Sequence, residues 1–195
     1  DLNGEYQGIN VSCPFSPVMV RLNDDERLAL ATTVDERTIS VTGQTNVALA
    51  DLWVTTTALP QPMPLRVEEY WVAADPQTEE ANAFVVSPDR WWRVEGSFPQ
   101  GTVMTARFTV DGRATSATAF DQGLTVAAGV VAFNEDSLVV LYRPDAHSPW
   151  VVKPDCVIHS LGSHSDGGAQ IHMPGFIAGD YTIGWRKSAT GIGEI

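Results

Sequence analysis

The stretch L-R-V-E-E-Y-W-V-A-A-D-P (65–76), followed after a polar loop by A-F-V-V-S-P-D-R-W-W-R-V-E-G-S-F-P-Q-G-T-V-M-T-A-R-F-T-V-D-G (83–112), decides the fold. Three or four β-rich segments lie in it, crowded with Val, Phe, Trp and Thr and separated by Asp-Pro, Ser-Pro-Asp, Pro-Gln-Gly and Asp-Gly. The alternation is cleanest over 102–110, where Met104, Ala106, Phe108 and Val110 share one side and Thr105, Arg107 and Thr109 the other. Successive side chains of a strand point to opposite faces, so this pattern predicts one buried face and one wet face.

Working outward, residues 1–17 are rich in Gly, Asn, Ser and Pro without periodicity and read as a linker or lead-in strand. Residues 18–42 hold neither Gly nor Pro, so a helix capped by Asp24, Asp25 and Glu26 competes there. The alternation of Leu28, Leu30, Thr32 and Val34 and the β-branched run at 38–42 favour two strands instead. D-L-W-V-T-T-T (51–57) predicts another strand, closed by L-P-Q-P-M-P.

Beyond Arg113 the chain turns Ala/Thr/Ser-rich through Ala119, the expected domain boundary. Strands are then expected in 123–133, 137–142, 150–152, 157–158, 169–173 and 179–185, with 160–168 a polar loop. Turn signals recur roughly every eight to twelve residues, as in sandwiches. Gly179 permits a turn, and Tyr181 beside it can send its hydroxyl back to the backbone as a tyrosine corner. The expectation is an all-β chain with two immunoglobulin-like or fibronectin-like β-sandwich domains in tandem. These are 18–113 and 114–187, flanked by the 1–17 segment and a C-terminal linker, 188–195.

With 44% hydrophobic residues and 18% charged, the chain has enough apolar material for real cores and is not a disordered sequence. Its formal net charge of −12 would repel a phosphate backbone, which argues against nucleic acid as a partner. The acidity serves solubility, and calcium held among loop carboxylates is the one cofactor it would admit. No apolar run approaches the roughly 20 residues of a membrane span, so no membrane insertion is expected. A first residue of Asp rather than Met suggests a processed piece. Cys13 and Cys156 are too few for a disulfide framework; a single bridge between them and two separate thiols both stay open.

H-E-x-x-H, G-x-S-x-G, Walker and C-x-x-C signatures are all absent, and nothing singles out a nucleophile. His159, His164 and His172, with Asp166 between them, form the only cluster with a metal-binding look. A catalytic zinc needs three such ligands converging, and this spacing matches no ligand signature, so solvated loop histidines are the simpler reading. Tyr70, Trp71, Trp91 and Trp92 could form a platform on which a glycan stacks, with Asp89, Arg90 and Arg93 beside them to bond hydroxyls. Trp91 and Trp92, being consecutive, must face opposite sides of a strand, so one of the two is expected in the core or under a neighbour.

Y-W-V-A-A-D-P (70–76), S-P-D-R-W-W-R-V-E-G (87–96), A-R-F-T-V-D-G-R (106–113), E-D-S-L-V-V-L-Y-R-P-D-A (135–146) and I-A-G-D-Y-T-I-G (177–184) carry a resemblance. Together they resemble the C-terminal β-sandwich region of large secreted gluzincin-type aminopeptidase-like metallopeptidases of Bacteroidetes, over about residues 65–185. In that family the zinc site lies in an upstream domain, so the resemblance implies a non-catalytic accessory region here, with that domain as partner. T-G-I-G-E-I (190–195) is similar to the junction before the sorting domain of type IX secretion cargo. That likeness implies export to the cell surface or medium, with the secretion machinery as a transient partner. The alternatives are a free-standing carbohydrate-binding or adhesion module and, behind it, a metal-dependent enzyme built on the three histidines.

Overall fold

Between Val103 and Asp111 the alternation does what it predicts: Met104, Ala106, Phe108 and Val110 are buried, while Thr105, Arg107 and Thr109 keep contact with solvent. The computed structural model describes residues 12, 14–16, 31–79, 83–113, 116, 119–130 and 134–187. Every strand described falls in the unit from Ala31 to Ile195. The expected lead-in 1–17, the strand before residue 31, Cys13 and the linker 188–195 lie outside the described residues, apart from 12 and 14–16.

In chain order the strands are β1 (Thr32–Ile39), β2 (Gly43–Val47), β3 (Leu52–Ala58), β4 (Met63–Tyr70), β5 (Phe84–Gly96), β6 (Val103–Asp111), β7 (Leu138–Arg143), β8 (Val151–Val152), β9 (Val157–Ser160), β10 (Gly168–Pro174) and β11 (Gly179–Arg186). One larger sheet runs β1-β4-β5-β11-β7-β8 and a smaller one β2-β3-β6-β10-β9, all their pairings antiparallel. They pack as a sandwich whose core joins Val67, Trp92 and Tyr181 of the larger sheet to Val54, Phe108 and Ile171 of the smaller. The Trp92 and Phe108 rings meet across the gap at 4.8 Å.

The expected division into tandem domains at 113–120 is corrected by the pairing. β11 pairs with β5 and β10 pairs with β6, so each of the two sheets continues from strands before residue 113 directly into strands after residue 120. Turn spacing counts strands but carries no information on which of them pair, and a sandwich joins strands far apart in sequence.

Two local expectations are also corrected. Ser87-Pro88-Asp89 does not separate two strands, because β5 runs through it. Proline cannot donate to a ladder, and the ladder is interrupted here: Trp91 pairs with Thr182 and Val86 with Gly184, leaving four residues of β5 opposite Ile183 alone. Within 123–133, the described part forms a helix, α1 (Gln122–Ala128), rather than a strand. Gly129, in the left-handed region at φ +67, ends the helix by donating to the Thr125 and Val126 carbonyls, and the Asp89 carboxylate accepts from the Leu124 N–H near its start.

The tyrosine corner forms as expected. Tyr181 Oη donates to the Ile177 carbonyl at 2.9 Å and accepts from the Ile177 N–H at 3.1 Å. Gly179 has φ +138, and a Cβ there would lie 2.5 Å from the Tyr142 ring and 2.6 Å from the Arg143 carbonyl, so only glycine fits.

Candidate functional site: two outer faces of opposite character

The four aromatic residues expected to form a platform do not share a face. Trp92 points into the core, 1% exposed, and its indole N–H donates to the Ala50 carbonyl at 2.9 Å, which removes it from any ligand surface. Trp91 points outward but stacks flat on Tyr70, ring centroids 4.0 Å apart, and packs beside the satellite cluster of Ala74, Phe84, Val139, Leu141 and Trp150. Trp71 lies beyond the end of β4, donates to Thr33 and meets Phe120 edge-on.

The rest of the larger sheet's outer face is a ladder of alternating charge. Glu68, Arg93, Asp180 and Arg143 stand opposite one another on β4, β5, β11 and β7. Asp180 accepts from Arg93 at 2.9 Å and from Arg143 at 3.0 Å, and Arg143 reaches on to Asp75. Arg66 is held by Glu36 and Glu68, and Glu68 also accepts from the Tyr70 hydroxyl. Cross-strand pairs of opposite charge stabilise a sheet and also consume the groups that a ligand would need.

A second ionic cluster is interior. Arg90, 1% exposed, forks onto Asp121 at 2.8 and 2.9 Å, bonds Glu69 at 2.9 Å and the Thr109 carbonyl at 2.7 Å, and reaches Asp51 at 3.3 Å. Asp121 in turn accepts from the Asp111 N–H at 2.8 Å, so the network ties the larger sheet to β6 of the smaller. Glu69 Oε2 is buried without a hydrogen-bond partner among the described residues. Burial pushes the Glu69 carboxyl up from 4.5 to about 7, against the opposing pull of Arg90 and with the help of Asp51 and Asp121. The cluster is closed to solvent except at Asp51, and its chemistry is that of an inter-sheet pin.

The histidines do not converge. The rings of His159 and His172, on the neighbouring strands β9 and β10, meet edge-on at 4.9 Å. His164 instead lies 3.1 Å from Asp136. Asp166 accepts from the Ser163 and Gly168 N–H groups of its own loop. Among the described residues no group of three or more His, Cys, Asp or Glu side chains could hold a metal ion. Burial pushes the Cys156 thiol up to about 11, and Cys13, its candidate partner in a bridge, lies outside the described residues.

The smaller sheet's outer face differs from all of this. Asn46, Trp53, Arg107, His172 and Val157 stand in register across its five strands. Trp53 is 40% exposed, with the Arg107 guanidinium 5.6 Å from its ring centre. The flanking outward positions are Thr55, Thr105, Thr109, Gln170 and His159. Partial burial, then His159 and Arg107, hold His172 below the ordinary imidazole value. Arg107 makes no ion pair among the described residues. Asp111, the buried carboxylate at the end of β6, bonds Arg113, which holds it well below the usual carboxylate range.

Comparison with protein-family models, with curated proteins and with solved structures finds no match for this chain. No helix among the described residues is long and apolar enough to cross a membrane. Sequence reasoning had already placed Arg107 on a wet face and Trp53 in a strand. What it lacked was the register that sets them side by side.

Proposed function

We propose that this chain is a non-catalytic β-sandwich module that works by presenting a surface to a polymer or a protein, with no bond made or broken in it. The observation that carries this reading is the contrast between its two outer faces. The larger sheet spends its charges on itself, whereas the smaller sheet turns an aromatic ring, a guanidinium and a set of short polar side chains toward solvent. Flat rings flanked by hydrogen-bonding groups suit ligands with one apolar and one polar aspect.

The phrases at 70–76, 87–96, 106–113, 135–146 and 177–184 support placing the module beside an upstream metallopeptidase domain. The 190–195 segment supports export through the type IX machinery to the cell surface or medium. A free-standing glycan-binding or adhesion module is the second reading, and the exposed Trp53 favours it. Affinity electrophoresis through gels cast with a panel of polysaccharides, run beside peptidase and glycosidase assays, tests the reading. Retardation by at least one polymer, lost in Trp53→Ala, without substrate turnover is expected; turnover by the purified chain would overturn it.

A further inference from the structure

We infer that the outer face of the smaller sheet binds an anionic polysaccharide, with Trp53 stacking on a sugar ring and Arg107 holding a carboxylate or sulfate beside it. The inference rests on the reading of the chain as a polymer-binding module and names the chemical class of its ligand.

Charge complementarity carries it. The chain has 24 acidic residues against 12 basic ones, yet the registered row across this sheet holds an arginine and a histidine and no carboxylate. The carboxylates of the larger sheet lie on the far side of the sandwich. Those carboxylates, Glu36, Glu68 and Asp180, are already paired with Arg66, Arg93 and Arg143. A ligand on this face therefore meets an arginine that has no ion pair among the described residues.

Geometry limits the ligand further. Arg107 is unpaired among the described residues, and its planar fork suits two oxygens of one carboxylate or sulfate. Adjacent strands are spaced about 4.8 Å, so the row from Asn46 to Val157 extends roughly 20 Å, a length that suits a chain of sugars better than a single small molecule. Duplex nucleic acid carries one charge per about 1.7 Å and calls for many cations, whereas the row supplies one permanent charge. A polysaccharide with acidic groups spaced along it matches one arginine beside one ring.

The test uses the full chain and isothermal titration with polygalacturonate, alginate and heparin, each beside its carboxyl-reduced or desulfated counterpart, with neutral glucans and duplex DNA as further probes. Binding to at least one acidic polymer is expected, at least tenfold weaker for its neutralised form and weakening with added salt. Arg107→Gln should bind the acidic and neutralised forms alike, and Trp53→Ala should bind neither. Both variants should keep the wild-type circular dichroism, and Trp53→Phe, which retains a ring, should retain binding.

Equal binding of an acidic polymer and its neutralised form, or binding of neutral glucans alone, would overturn the anionic ligand and leave the polymer-binding module standing. Duplex DNA bound as tightly as the acidic polymer would overturn it as well. Failure to bind any polysaccharide, acidic or neutral, would remove the polymer-binding reading together with this inference.

Discussion

Replacing Glu69 by glutamine should change how the stability of this protein depends on pH. Glu69 is fully buried between Arg90 and Trp92, and burial raises its carboxyl from 4.5 to about 7. Between those values the folded protein holds a proton that the unfolded chain has released. The contribution of Glu69 to stability is therefore greatest below pH 4.5 and is lost as pH rises toward and through 7. The displacement corresponds to about 3 kcal/mol lost by pH 8, at about 1.4 kcal/mol per pH unit. Glutamine keeps a neutral acceptor for Arg90 and cannot ionise.

Urea unfolding at pH 4.5, 6, 7 and 8 should thus show the Glu69→Gln curve close to wild type at the acid end and more stable by up to about 3 kcal/mol at pH 8. In a chain of this size that corresponds to a Tm higher by roughly 6–12 °C. The other charges of the cluster, Asp51, Arg90 and Asp121, are common to both proteins and cancel in the difference. Wild-type and variant curves that run parallel from pH 4.5 to 8 would refute the reasoning, because Glu69 would then ionise alike in the folded and unfolded states.

Arg90→Met should cost about 3–5 kcal/mol in denaturant melts, because it leaves the fully buried Asp121 without its cation. Tyr181→Phe removes the hydrogen bonds to Ile177 at the corner and should cost about 1–2 kcal/mol with the fold retained, as read by Tm. Trp92→Ala should lose about 3–5 kcal/mol, whereas Trp53→Ala on the exposed face should stay within about 0.5 kcal/mol of wild type. A fragment of residues 31–113 expressed alone should give an unfolded one-dimensional NMR spectrum, since β5 loses β11 and β6 loses β10; sharp dispersed signals would show that the first half folds alone.

The faces of single strands were legible because alternation is local. Met104, Ala106, Phe108 and Val110 declared their burial, and Gly179 with Tyr181 declared the corner. The pairing was not legible. No pattern within 179–186 says that this strand lies between β5 and β7, so the number of sandwiches came out as two. Pro88 looked like a break because a proline removes a ladder donor, and only the slipped register opposite Ile183 shows why it is tolerated inside a strand.

The site suffered for the same reason. Trp91 and Tyr70 drew attention as adjacent aromatic phrases, but register stacks them on each other, and it sets the isolated Trp53 beside Arg107 from a strand fifty residues away. Asp121 occupies the N-cap position of α1, yet its carboxylate makes no cap bond and is committed to Arg90. Long-range partners decide which polar groups remain for a ligand, and sequence spacing does not reveal them.

The six tryptophans offer a direct readout of where a ligand sits. Their indole N–H signals, assigned by single replacements in a 15N-labelled chain, should be followed while an acidic polysaccharide is added. The Trp53 signal should shift in proportion to occupancy, while those of Trp91, Trp92 and Trp150 stay in place. Movement of the Trp71 and Trp91 signals with Trp53 unchanged would put the ligand on the larger sheet and contradict the assignment of the binding face.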